Sequence, residues 1–263
     1  AKLNRAKLVI CFSGGLDSYL AYHYAIIERG YKPENIKCIY FNIGHPYAEK
    51  EIENMKRLNI PFQVMPVGFV SHENGNMPDA KNYIIPGRNM VFASIAGALG
   101  ERVWIVGVSY ENHYLMFDKN DHFFKAASLA LTQATGASTI VESPFSRMSK
   151  TDTIKWALAN GLKDGLSLTI SCYDPEKIRC GKCGLCLKRK IASVAAGYFG
   201  DVYDVDPFEQ EYCRNIVEEY KEALTTNNFT HYQKERIQET FDVLRHFGPS
   251  YYKDLPIIDS EGV

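Results

Sequence analysis

Apolar positions in the first half of the chain come in short blocks separated by stretches of helical period. Lys7 to Phe12, KLVICF, is a compact apolar run with β-branched side chains, which predicts a strand buried on both faces of a parallel sheet. After the string SGGLDS, Tyr19 to Arg29 carries apolar residues at helical spacing and stops at Gly30. Lys37 to Asn42 predicts a second strand, Glu49 to Leu58 a charged amphipathic helix, and Phe62 to Val67 a third strand. Ser71 to Asn82, SHENGNMPDAKN, is polar and glycine-containing, so it predicts a loop able to cover a site. Asn89 to Leu99 predicts a small-residue helix, Val103 to Val108 a buried strand, Lys125 to Ala134 a helix and Thr139 to Glu142 a fifth strand. Ser149 opens another helix, with Asp152 in its first turn. This alternation predicts an α/β fold, a doubly wound parallel sheet with right-handed crossovers. From about Pro207 the pattern changes to charged and aromatic helices, EYCRNIVEEYKEAL and HYQKERIQETFDVLRHF. The expected organisation is an α/β domain over residues 1–170, a cysteine-rich segment over 171–200 and a helical extension over 201–263.

Composition narrows the function classes. The 263 residues are 46% hydrophobic and 23% charged, as in ordinary globular proteins. Thirty basic against thirty-one acidic residues give a net charge of -1, which provides no global field for nucleic acid or an anionic membrane. No apolar run approaches the roughly 20 residues a membrane span needs, and AKLNRAKLVICF lacks the features of a signal peptide, so a cytoplasmic location is expected. Of seven cysteines, four crowd into residues 172–186, whereas Cys11, Cys38 and Cys213 stand alone in apolar or helical contexts and predict buried small hydrophobes.

SGGLDS, residues 13–18, lies between a predicted strand and a predicted helix. A turn in that place directs backbone N–H groups and the positive end of the helix dipole at whatever sits above it, and an anion such as phosphate is the natural guest. Gly14 and Gly15 permit close backbone approach, and Ser13 and Ser18 add hydroxyls. A bare glycine turn without a ligand is the alternative. Neither GxxxxGK[ST] nor GxGxxG is present, which removes the main support for P-loop NTPase and dinucleotide-binding readings.

Cys172, Cys180, Cys183 and Cys186 have the spacing C-x7-C-x2-C-x2-C, with Gly181 and Gly184 between the last three. Two-residue gaps let thiolates converge on one tetrahedral ion, and four of them leave no open position, so the pattern predicts structural zinc. An iron–sulfur cluster is the competitor, although the common ferredoxin spacings are missing. Arg179, Lys182, Lys188, Arg189 and Lys190 surround this segment and predict a solvated basic rim.

SGGLDS after KLVICF, together with CYDPEKIRCGKCGLCLKRK, PGRN (Pro86 to Asn89) and SRMSKTDTIKWAL (Ser146 to Leu158), resembles the 7-cyano-7-deazaguanine synthase family, the QueC branch of the PP-loop ATP pyrophosphatases. The resemblance runs from about Lys7 to Lys190. It implies an adenine nucleotide alpha hydrolase-like sheet and a loop, Ser13, Gly14, Gly15, Leu16, Asp17 and Ser18, that holds ATP. Asp17 would orient Mg2+, Lys150 would contact phosphate, and Arg88 would grip phosphate or carboxylate. Arg88, Asn89, Asn112, Asp118 and Asp121 are the implied substrate residues. The implied reaction adenylates 7-carboxy-7-deazaguanine, forms the amide with ammonia, then adenylates the amide and releases AMP to give the nitrile.

Departures fall where a substrate would be read. Where the family carries a GQRH-like element this chain has Gly44, His45, Pro46 and Tyr47, and where it reads ETDFSGYPDCR this chain has YENHYLMFDKN, placing Asn112 at an acidic position. A carboxylate accepts from a guanine-like N1–H and amine, which an amide does less well. A QueC-like relative of the kind found in antiphage operons, transferring the activated acid to another acceptor such as a protein amine, is therefore an alternative. A zinc-stabilised nucleic-acid-binding protein is a second one, supported only by the lysines near the cysteines and by 17 Tyr and 14 Phe. Tyr212, Ile216, Tyr220, Phe241, Leu244 and Phe247 lead to the further expectation of a homodimer through the tail helices.

Overall fold

The computed structural model describes residues 4–67, 85, 87–108 and 117–258. They form two compact units, one from the described residues of 4–108 with 117–147 and 168–170, the other from 148–167 and 171–258. The predicted loop over Ser71 to Asn82 lies outside the described residues, as does Asn112. No helix among the described residues is long and apolar enough to cross a membrane.

The first unit is built on a parallel sheet of five strands: β1 (Ala6–Cys11), β2 (Ile36–Asn42), β3 (Gln63–Pro66), β4 (Gly100–Ile105) and β5 (Ile140–Glu142), in the order β3-β2-β1-β4-β5. The helices between them are α1 (Leu16–Ile27), α2 (Ala48–Arg57), α3 (Arg88–Leu99) and α4 (Asp121–Thr135). Side chains alternate across a strand, so the central strands divide their apolar residues between two faces. Val103 and Ile105 join Val9, Ile39 and Phe41 in a core with Ala93 and Ala96 of α3 and Phe124, Ala127 and Leu131 of α4. Trp104, between them in sequence, instead meets Tyr24 of α1, with ring centroids 6.5 Å apart. Helices thus cover both faces, and this doubly wound arrangement is the reason KLVICF reads as an unbroken apolar run: Leu8, Val9 and Ile10 are all fully buried. The edge strand β5 is pinned by Glu142, which accepts from Arg102 at 2.6 Å and from Trp104 Nε1 at 3.0 Å. The strand order reverses beside β1, and in open α/β sheets the crevice at such a switch point is where ligands bind.

The second unit contains α5 (Lys150–Ala159), all but the last residue of α6 (Lys163–Leu168), α7 (Gly184–Ala195), α8 (Glu211–Thr226) and α9 (Lys234–Phe247). Leu187 and Ile191 of α7, Cys213, Val217 and Tyr220 of α8, and Ile237, Phe241 and Leu244 of α9 form one apolar cluster. The tail helices therefore bury Tyr220, Phe241 and Leu244 within their own chain, while Tyr212 and Phe247 keep 40% and 55% exposure.

The expectation of a solvated basic rim is corrected at two of its five positions. Arg179 and Arg189 are 7% and 1% exposed and share the buried carboxylate of Asp201. Arg189 makes the closer pair, with Nε donating to Asp201 Oδ2 at 2.7 Å and a terminal nitrogen to Oδ1 at 2.8 Å. A second terminal bond runs to the Leu166 carbonyl at 2.6 Å. A guanidinium this well supplied with acceptors can be buried where a lone cation could not. Lys190 is also paired, 2.5 Å from Asp206.

Candidate active site and metal centre

The SGGLDS loop begins where β1 ends and turns directly into α1, with Gly15 as the residue before the helix. Gly14 has φ +70°, a left-handed conformation that favours glycine, and it lies beneath Met55 of α2. The loop is held by its own serines and by the chain after α6. Ser18, 3% exposed, receives the Ser13 N–H at 3.1 Å and donates to the Gly15 carbonyl at 3.1 Å. Gly15 bridges to Ile170, whose N–H reaches the Gly14 carbonyl at 3.4 Å. Tyr19 N–H bonds back to the Gly15 carbonyl at 3.0 Å, which places the helix start, with its positive dipole end, directly after the turn. Such a fixed turn, with Ser13 exposed and Asp17 partly exposed in the first turn, can cradle an anion. The Leu16 side chain is buried at 2% exposure, so its backbone is the part available to a ligand.

A cavity of about 240 Å³ opens above the C-terminal ends of β1, β2 and β4, lined by Ser13, Tyr40, His45, Arg88, Asn89 and Lys119 among others. The structure thus brings Ser13, Arg88 and Asn89 to one cavity. Arg88 is the first residue of α3, and its Nε is buried with no hydrogen-bond partner among the described residues. Asn89, 3% exposed, donates to the Asp118 carbonyl at 3.1 Å, so both residues frame the turn before α4. Asp121 is exposed in the first turn of α4, which is capped by Asn120 accepting from Phe123 N–H at 2.9 Å. Lys150 belongs to the second unit, as the first residue of α5, behind a capping box formed by Ser149 and Asp152.

Three cavity residues that sequence reasoning passed over are linked to one another. Tyr40 of β2 donates to Glu51 Oε2 of α2 at 2.8 Å, and His45 Nε2 lies 3.4 Å from that oxygen and 3.4 Å from the Tyr40 hydroxyl. Burial, with Glu51 beside it, pushes the Tyr40 phenol well above the ordinary tyrosine range, so Tyr40 remains a donor. Tyr40 reads as an apolar strand residue and Glu51 as a solvated helix carboxylate; only His45 carried a signal, as a departure from the family element.

In the second unit the Sγ atoms of Cys172, Cys180, Cys183 and Cys186 all lie within 4.8 Å of one another. Two of the separations are 4.0 Å (Cys180 to Cys186) and 3.5 Å (Cys183 to Cys186). Four thiolates about 2.3 Å from one tetrahedral ion would be roughly 3.8 Å apart, so this geometry fits a metal ion. Backbone donors already face the sulfurs: Cys180 N–H to Cys172 Sγ at 3.4 Å and Lys182 N–H to Cys180 Sγ at 3.4 Å. Gly181, at φ +79°, is required by the knuckle, since a Cβ there would sit 1.9 Å from the Val205 carbonyl oxygen. Cys183 caps α7 and Cys186 lies in its first turn, so one helix start carries two of the ligands. Cys38 and Cys213 are buried outside this cluster, and burial pushes the Cys38 thiol up to about 12, which keeps it protonated and unreactive.

Comparison with known proteins agrees with this geometry. The family described as queuosine biosynthesis protein QueC matches residues 7–197. A 7-cyano-7-deazaguanine synthase of Caldicellulosiruptor bescii is 29% identical over 228 residues, 78% of this chain and 97% of that protein. One from Campylobacter fetus is 30% identical over 211 residues, 71% of this chain and 92% of that protein. One from Sulfolobus acidocaldarius is 28% identical over 236 residues, 79% of this chain and 48% of that longer protein. With a switch-point cavity that Ser13 of the SGGLDS turn lines, a clustered set of four cysteines and a match over most of its length, the chain belongs to the QueC family.

Proposed function

We propose that this protein is an ATP-dependent carbon–nitrogen ligase of the 7-cyano-7-deazaguanine synthase type. It adenylates the carboxylate of 7-carboxy-7-deazaguanine and converts it with ammonia, through the amide, to the nitrile, releasing AMP and pyrophosphate. The observation that carries the reading is the fixed SGGLDS turn, whose first residue, Ser13, lines the same cavity as Arg88. A carboxylate oxygen is a poor leaving group, and joining it to AMP makes it a good one. The backbone of the turn and the positive end of the α1 dipole favour the phosphates, and Arg88 supplies a cation for phosphate or substrate carboxylate. Lys150 adds a phosphate contact. Asp17 would hold Mg2+, which when bound neutralises charge on the departing pyrophosphate. Asn89, Asp118 and Asp121 shape the substrate side, with Asn89 and Asp118 acting through the turn they tie together.

Cys172, Cys180, Cys183 and Cys186 would hold Zn2+ in a structural role, because four thiolates close its coordination. The protein works in the cytoplasm as a homodimer, and Tyr212 and Phe247 are among the exposed tail residues available to its contact.

The test is isotope exchange between pyrophosphate and ATP. Exchange that requires 7-carboxy-7-deazaguanine supports the reading. Exchange with a different carboxylic acid only, or capture of the activated acid by a protein amine in place of ammonia, would transfer the chain to a repurposed branch of the family.

A further inference from the structure

Within the adenylation–amidation reading above, we propose that His45 is the catalytic base of amide formation and that Glu51 is its positioning residue. His45 lines the same cavity as Ser13 and Arg88. Its ring is stacked on Tyr47, with centroids 3.9 Å apart and planes 20° apart, and its side chain is 10% exposed. Nε2 faces Glu51 and Tyr40, both at 3.4 Å, whereas Nδ1 is buried with no hydrogen-bond partner among the described residues. A buried polar nitrogen without a partner is costly, and Arg88 Nε in the same cavity is another. One is suited to an oxygen of the activated acid, the other to a proton.

Glu51 favours the tautomer that carries its hydrogen on Nε2, and this leaves the Nδ1 lone pair to act. In the step concerned, the ammonia nitrogen forms a bond to the acyl carbon and the bond from that carbon to the AMP oxygen breaks. AMP leaves with the electron pair. The nitrogen then carries one proton too many, and Nδ1 takes it. The resulting imidazolium is stabilised by the Glu51 carboxylate through Nε2–H, while Tyr40 keeps that carboxylate in place at 2.8 Å. Tyr40 of β2, Tyr47 before α2 and Glu51 of α2 touch His45, and the other ionisable groups lining the cavity are Cys11 of β1, Arg88 of α3 and Lys119 before α4.

The test separates the two halves of the reaction. The acyl-adenylate is formed from ATP and 7-carboxy-7-deazaguanine without ammonia, ammonia is then added, and the amide is followed in a single turnover. His45→Gln is expected to keep substrate-dependent ATP–pyrophosphate exchange and to lose amide formation by about 100-fold or more, the range general bases contribute. The pH dependence of aminolysis, corrected for free ammonia, should lose its acid limb in the variant. Added imidazole should partly restore the step in His45→Ala. If His45→Gln melts early, Glu51→Gln keeps the imidazole and should slow amide formation about tenfold with exchange retained. Unchanged aminolysis in a variant that exchanges normally would overturn the inference alone, as would equal loss of exchange and aminolysis. Absence of exchange in the unaltered protein would overturn the function and this inference together.

Discussion

Met55 occupies the space that a side chain at Gly14 would need: its Cγ lies 2.3 Å from where a Cβ on residue 14 would stand. The contact fixes the loop from above while φ +70° fixes it from within. Gly14→Ala should therefore cost about 1–2 kcal/mol from the left-handed backbone alone, with the clash added to it. Chemical denaturation reads that loss. Pyrophosphate exchange should fall further than stability, because the turn aims the donors; a variant with normal exchange would show that the turn tolerates the shift.

Asp201 is the shared anion of two buried guanidiniums, and Ser193 Oγ donates to its Oδ2 at 3.0 Å. Asp201→Asn would leave both cations buried without their counter-charge. The expected loss is about 3–5 kcal/mol in unfolding free energy. Arg189→Lys should also destabilise, since an ammonium cannot make the paired bonds to the carboxylate. A change under about 0.5 kcal/mol, the size expected of an ordinary surface site, would contradict the account.

The four-cysteine centre should hold one metal ion per chain, and zinc by the proposal above. Cys180→Ser or Cys186→Ser should lose the metal and lower the melting temperature, because ligand convergence is coupled to folding. Elemental analysis beside calorimetry checks both. Full metal content in either variant, or iron in the unaltered protein, would contradict it.

Cys38 gives a pH prediction with a definite sign. Its thiol rises from an ordinary 9.0 to about 12 on burial, so between those values the unfolded chain has lost a proton that the folded chain keeps. Its contribution is whole below pH 9 and is lost as pH rises toward 12. The slope from this group is about -1.4 kcal/mol per pH unit in that window. Cys38→Ala should flatten the alkaline limb of the stability curve by that amount.

The strands and helices of the sheet domain were legible because they follow from local signals. KLVICF reads as a strand buried on both faces, with the glycine turn and the period of α1 after it, and the C-x7-C-x2-C-x2-C spacing predicted the convergence of the four sulfurs. Other features depended on tertiary partners with no local mark. Arg189 looked like a surface cation until Asp201, twelve residues on, was folded against it, and α7 was hidden within CGKCGLCLKRK, where cysteine and glycine read as loop. Glu51 likewise has the spacing of a solvated helix residue, and its role depends on Tyr40 across the β2–α2 turn.

The central claim is tested most directly by product stoichiometry. Supplied with 7-carboxy-7-deazaguanine, ATP, magnesium and ammonia, the protein should form 7-cyano-7-deazaguanine, identified by mass, with AMP and nitrile in a two-to-one ratio. AMP release that does not depend on the deazapurine acid, or turnover that ends without any nitrile, would contradict the account.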